Sequence, residues 1–146
     1  MKNVLITGAS SGIGRELAFV FAENNYRPII VARRMRLRNE LAEEIKTSYN
    51  IESICMQLDL ADSDSAEQLF DLVKKGDLEV DVLVNNAGFG DYGPFHLEDV
   101  ERLESMINLN MLTLTKLSRL FAQEMVERGS GHILNIASTA AFQPVP

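Results

Sequence analysis

Apolar residues fall along this chain in two rhythms. Near-continuous apolar runs, rich in Val and Ile, occupy 4–7, 28–32, 53–58, 80–85 and 133–137. Such a run predicts a parallel strand covered on both faces, because alternation is lost when neither face meets water. The longer segments between them, 12–24, 34–49, 63–75 and 98–128, space their apolar residues for helices. Ile13, Leu17, Val20 and Phe21 have this spacing in the first, and Ala66, Leu69, Phe70 and Val73 follow it in the third. Asp62, Ser63 and Asp64 are good capping types ahead of that third helix. In the last, Leu103, Met106, Ile107, Leu114, Leu117 and Phe121 form one stripe, and Gly129-Ser130-Gly131 ends it.

Five strands alternating with four helices make right-handed βαβ units. The expected fold class is α/β: a doubly wound parallel sheet between two layers of helices. Ligands of such a sheet lie beyond the carboxyl ends of its strands. The residues that follow each strand are therefore the candidates for chemistry.

Composition narrows the class without changing it. The 146 residues suit one domain, 1–146, with 46% hydrophobic and 24% charged residues, which excludes a disordered chain. No apolar run approaches the ~18 residues of a membrane helix, and the apolar start at residues 4–6 is too short for a signal peptide. No repeat or linker interrupts the pattern. The lone Cys55 fits a reducing, cytoplasmic setting. A net charge of −7 argues against a nucleic acid or an anionic membrane as partner.

The first strand runs into Thr7-Gly8-Ala9-Ser10-Ser11-Gly12-Ile13-Gly14, which opens the first helix. Glycines there allow a tight turn and close approach of backbone to a pyrophosphate. The N–H groups and positive dipole end of the helix face that anion, and Ser10 and Ser11 add hydroxyls. No Gly-Lys-Ser/Thr follows, which excludes a Walker loop. The second strand ends at Arg33 and Arg34, where dinucleotide folds read the adenosine ribose. An acid there selects the 2′-hydroxyl of NAD; arginine receives the 2′-phosphate of NADP, so NADP is expected over NAD. Six basic and three acidic residues lie between Arg27 and Lys46. Arg36, Arg38 and Lys46 read as a solvated helix face.

Asp59-Leu60 follows the third strand, and its carboxylate suits either an adenine amino group or the turn itself. Asn85-Asn86-Ala87-Gly88 follows the fourth, with small residues that let a flat ligand approach. Asn110 falls on the apolar stripe of the long helix, whereas Asn108 lies off it. A buried amide needs partners, so Asn110 either bonds backbone or water, or faces a polar site. Ser138 follows the fifth strand, as a donor to a substrate oxygen or as a cap for the turn over 139–146. No G-x-S-x-G elbow supports it as a nucleophile, and His96 and His132 offer neither triad logic nor metal-ligand spacing. No metal is expected.

In this order, these motifs resemble the short-chain dehydrogenase/reductase family over residue 2 to the end. The resemblance implies a Rossmann-type sheet of strand order 3-2-1-4-5, a nicotinamide cofactor, and hydride transfer between it and an alcohol or carbonyl substrate. It implies a proton-relay water held by Asn110 and a substrate oxygen oriented by Ser138. Gly8, Ser10, Ser11, Gly12, Ile13, Gly14, Arg33 and Arg34 would hold the cofactor, with Asn86, Ala87 and Gly88 along its adenosine half. Asp59 and Leu60 would lie at the adenine. The family's acid–base pair is Tyr-x-x-x-Lys, but Tyr26, Tyr49 and Tyr92 are followed four residues on by Ile30, Ser53 and His96. The expectation is a cofactor-binding portion truncated before that pair, with the later strands missing. The resemblance also implies a homo-oligomer through the long helix 98–128. An inactive nucleotide-binding module is the alternative.

Overall fold

The computed structural model describes residues 1–142. Five parallel strands, β1 (Lys2–Thr7), β2 (Tyr26–Val31), β3 (Ile54–Met56), β4 (Val82–Asn85) and β5 (His132–Asn135), form one sheet. Their order is β3-β2-β1-β4-β5, the order the family resemblance implies. Helices α1 (Gly12–Glu23), α2 (Met35–Tyr49) and α3 (Ser65–Lys75) connect the first four strands. The long fourth connection contains a short 3-10 turn (Phe95–Leu97), α4 (Val100–Ile107), a π-helical turn (Asn108–Thr113) and α5 (Leu114–Arg128).

The period of two along each strand divides the core into two layers. Leu5, Ile29, Val31 and Leu83 face α3 and α5, packing with Leu69, Leu117 and Phe121. Val4, Ile6, Ile30, Val82 and Val84 face α1 and α2, packing with Ala18, Ala22, Leu41 and Ile45. β1 takes ladder bonds from both sides: Val4 stands opposite Pro28 on β2 and Val82 on β4. Its apolar run is thus the record of a strand with a neighbour on each edge and a helix layer on each face.

Three expectations need correction. The run at 133–137 does not become a buried strand: all four residues of β5 are exposed. β5 lies at the sheet edge, and α5 is the helix that packs on it. The segment 98–128 is not one continuous helix. The π turn adds a residue per turn, rotates the following helix and breaks the stripe. Leu117, Phe121 and Met125 are buried, α4 buries no residue, and Ile107 is exposed. Arg38 does not lie on a solvated face. It is buried, with its guanidinium beside Cys55, whereas Arg36 and Lys46 pair with Glu40 and Glu52 at the surface.

Smaller differences follow local chemistry. β3 shortens to three residues, and α3 begins at Ser65 rather than 63. Ser65 is buried and donates its hydroxyl to Leu60 O at 3.1 Å, while Asp64 caps no backbone N–H with its side chain. Asp99 caps α4 by accepting from Arg102 N at 3.1 Å. Gly129 ends α5 in the left-handed conformation, φ 78°, at the predicted stop. The loop expected over 139–146 contains a 3-10 turn, Thr139–Phe142; residues 143–146 lie outside the described residues.

Candidate functional site

The carboxyl ends of the strands open into one cavity of about 900 Å³, a size that suits an extended small-molecule ligand. Its walls come from the turn after every strand. The glycine loop contributes Gly8, Ser10, Ser11 and Ile13; the turn after β2, Arg33 and Arg34; the turn after β3, Asp59 and Leu60. The turn after β4 contributes Asn86, Ala87 and Gly88, the π turn Asn110, and the segment after β5 Ser138. Of the predicted residues, Gly12 and Gly14 do not line it.

Those two glycines act differently. Gly14 is buried in the first turn of α1, where an added Cβ would stand 2.3 Å from Asn86 Nδ2 and 2.8 Å from Gly8 O. It lets the helix seat directly on the loop. Gly12 has φ +58° and open space around it, which shapes the turn into the helix. α1 starts with no side-chain cap and no acid in its first turn. Its N-terminal amide groups therefore lack the anionic partner that such helix starts attract.

A buried hydroxyl fixes the loop to β4. Thr7 Oγ1 donates to Val84 O at 3.2 Å and accepts from Asn86 N at 2.9 Å and Ala87 N at 3.0 Å. The Asn86 amide returns the tie, donating to Thr7 O at 2.9 Å and Gly8 O at 3.3 Å. Gly8, at φ +66°, packs so close to the turn after β4 that an added Cβ would stand 2.8 Å from Ala87 Cα. Thr7 was not singled out from sequence. Its signal was a threonine at the end of an otherwise apolar strand.

Two cations stand at the outer rim. Arg34 Nη2 donates to Ser10 Oγ at 3.2 Å and Ser11 Oγ at 3.0 Å, bridging the glycine loop to the start of α2. Arg33 Nη1 faces Asp59 Oδ2 at 3.3 Å. Asp59 Oδ1 accepts from Ala61 N at 3.1 Å, so the carboxylate also serves the turn. Leu60 is buried, and its carbonyl accepts from Ser65 and Thr113.

The inner end is held from the broken helix. Asn110 is exposed rather than buried: the π turn rotates it off the stripe and toward the loop after β4. Its amide clamps Phe89, with Nδ2 donating to Phe89 O at 2.8 Å and Oδ1 accepting from Phe89 N at 3.1 Å. Gly88 leaves room for that clamp, since a Cβ there would approach Asn110 Oδ1 to 3.0 Å. Arg102, also not anticipated, secures the same loop. Its guanidinium lies 5.4 Å from the Phe89 ring centre and pairs with Asp91, holding that carboxyl below its usual range. Ser138 Oγ accepts from Ala140 N at 3.1 Å, so the serine does cap the turn that follows β5.

Among the described residues, no helix is long and apolar enough to cross a membrane. The family model for short chain dehydrogenase matches residues 2–146. A human very-long-chain 3-oxoacyl-CoA reductase is 33% identical over 148 residues, covering 97% of this chain and 46% of its own length. An NADP-dependent 3-hydroxy acid dehydrogenase of Salmonella typhimurium is 37% identical over 146 residues, covering 97% of this chain and 56% of its own. The chain thus spans about half the length of these curated relatives. A short-chain dehydrogenase from Sphingobium yanoikuyae, solved in complex with NADPH, superposes with TM-score 0.92 at 33% identity, over 99% of this chain and 56% of its own. Order of motifs, sheet topology and sequence agree: the chain belongs to the short chain dehydrogenase family.

Proposed function

We propose that this chain binds NADP(H) in the cavity at the carboxyl ends of its strands, as part of an oxidoreductase acting on an alcohol or carbonyl substrate. The observation that carries the reading is the uncapped start of α1 beside Ser10, Ser11, Arg33 and Arg34. An amide-rich helix terminus suits a pyrophosphate. Two guanidinium groups at the end of β2, with no acid in their place, suit a 2′-phosphate better than a free ribose hydroxyl. Gly8, Gly12, Ile13 and Gly14 shape the pyrophosphate turn; Asn86, Ala87 and Gly88 line the adenosine half, and Asp59 and Leu60 the adenine end. When bound, the nicotinamide supplies a hydride donor or acceptor.

The residues of the inner end orient the reacting oxygen. Ser138 uses an oxygen lone pair on Ala140 N. Its O–H remains to donate to a substrate carbonyl, which joins the two roles the sequence left open. Asn110 gives one donor and one acceptor to Phe89 and thereby fixes the cavity wall. Its second amide N–H is the group for a relay water. Within these 146 residues no tyrosine is followed four residues on by lysine. Without general acid–base assistance this chain alone is expected to turn over about 10²–10⁴-fold more slowly.

The same proposal assigns the homo-oligomer to the 98–128 segment, where Val100, Ile107, Met111 and Leu112 are exposed. A monomer by light scattering at high concentration would contradict it. For the cofactor, amide NMR is the direct test. NADPH is expected to shift the Gly12, Ile13, Arg33 and Gly88 resonances and to spare the far ends of the strands. Saturable shifts confined to other regions would overturn the reading.

A further inference from the structure

We propose that Asp59 limits how strongly the cavity selects a 2′-phosphate, because it is a competing anion held against Arg33. The inference rests on the NADP(H) reading and assigns Asp59 a role in selectivity that acts through a neighbour.

The two groups meet because β2 and β3 are paired, with Val31 opposite Met56. The turns that follow bring Arg33 and Asp59 to the same rim. Arg33 is anchored through its carbonyl and Asp59 through one carboxylate oxygen. Gln57 Nε2 donates to Arg33 O at 3.3 Å, and Ala61 N donates to Asp59 Oδ1 at 3.1 Å. The second carboxylate oxygen, Oδ2, is left facing Arg33 Nη1 at 3.3 Å. The neighbouring cation differs: Arg34 makes its bonds to the uncharged hydroxyls of Ser10 and Ser11. One guanidinium of the pair is thus already opposed by a negative charge.

Asp59 has two opposing effects on a phosphate that approaches Arg33. It orients the guanidinium, and it repels the phosphate. The contact is a single bond, and the side chains are 67% and 41% exposed. An exposed pair of this kind orients its partner weakly. Repulsion is the larger effect: in water, unit charges about 4 Å apart change an affinity roughly five-fold. A contact from Asp59 to adenine does not alter this comparison, since NADPH and NADH carry the same adenine. Their affinity ratio isolates the charge.

The test is calorimetric titration of NADPH and NADH into the chain and into Asp59→Asn, at low and high salt. Asparagine keeps the Oδ1 acceptor for Ala61 N and removes the charge. Asp59→Ser, which keeps a hydroxyl acceptor, serves if the first variant folds poorly. The NADPH:NADH affinity ratio is expected to rise about five-fold at low salt. The rise is expected to shrink near 1 M salt, where the screening length falls to about 3 Å. A variant ratio equal to or below that of the parent overturns the inference, as does a rise that ignores salt. A parent chain that binds neither nucleotide, or prefers NADH, overturns the NADP(H) reading itself.

Discussion

The two sides of the sheet are closed to different degrees. On the β1–β2 side, Val4, Leu5, Ile6, Ile29, Ile30 and Val31 are all fully buried. On the other side, every residue of β5 is exposed and α4 buries none of its side chains. Both regions nevertheless carry apolar runs in the sequence. The difference shows that an apolar run records what a segment can bury. What it does bury depends on neighbours: β1 has a strand on each edge, whereas β5 stands at the end of the order. The proposed cofactor rim is built on the closed side, and the proposed substrate end on the open one.

The sharpest way to break this comparison is to cut the same apolar mass from both sides. Ile30→Ala is expected to cost about 3 kcal/mol, in the range for a buried aliphatic side chain. Leu134→Ala, at an edge position 40% exposed, is expected to cost about 1 kcal/mol or less. Chemical unfolding of both variants checks the contrast; equal losses would mean that β5 is as closed as β2.

Gly14→Ala should follow in size, at about 2–3 kcal/mol. Its Cβ meets Asn86 Nδ2 and the backbone of Gly8 and Ala9, so α1 must back away from the loop. Gly12→Ala meets no atom within 4 Å and carries only the strain of φ +58°. A calorimetric scan that finds Gly12→Ala the more damaging of the two would contradict the seating of α1 on its loop.

Thr7→Val tests the staple between β1 and β4. It leaves the amides of Asn86 and Ala87 without their acceptor, at an expected cost of about 2 kcal/mol. Ser138→Ala removes an exposed hydroxyl from the open side and is expected to change stability by about 0.5 kcal/mol or less, because only the Ala140 amide loses a partner. If the two variants melted together, Thr7 would not be the tie proposed here.

The smallest expected effect concerns Cys55 on β3. Burial raises its thiol pKa, and Arg38 opposes that rise without reversing it. A raised folded-state pKa favours the neutral thiol, so this group's contribution to stability is present below the unfolded thiol pKa and lost as pH rises through the folded one. Alkylation near pH 8 should run more slowly in the folded chain than in urea. Equal rates would show the thiol to be unburied.

Much of this fold is legible in the sequence because most of its strand and helix ends obey one rule at a time. The strand ends at Thr7, Val31 and Asn85 and the helix stop at Gly129 have local causes. The same locality placed eleven of thirteen expected cofactor residues on one cavity. Asn110 is legible as a candidate, but its exposure is not, because periodicity assumes a constant pitch and the π turn over Asn108–Thr113 changes it. Thr7 and Arg102 escaped because their partners lie in distant turns and no spacing reports them. The pairing of Arg33 with Asp59 was hidden for the same reason: it is a product of strand order, 26 residues apart in sequence.

The central claim is that the rim on the closed side of the sheet is a dinucleotide site that prefers a 2′-phosphate. Thermal unfolding of the chain with NADPH and NADH side by side tests it most directly. NADPH at about 100 times its Kd should raise Tm by roughly 8 °C, from a stabilisation of about 2.7 kcal/mol. NADH at the same concentration should raise it less. An unchanged Tm with both nucleotides, or a larger rise with NADH, would contradict the account.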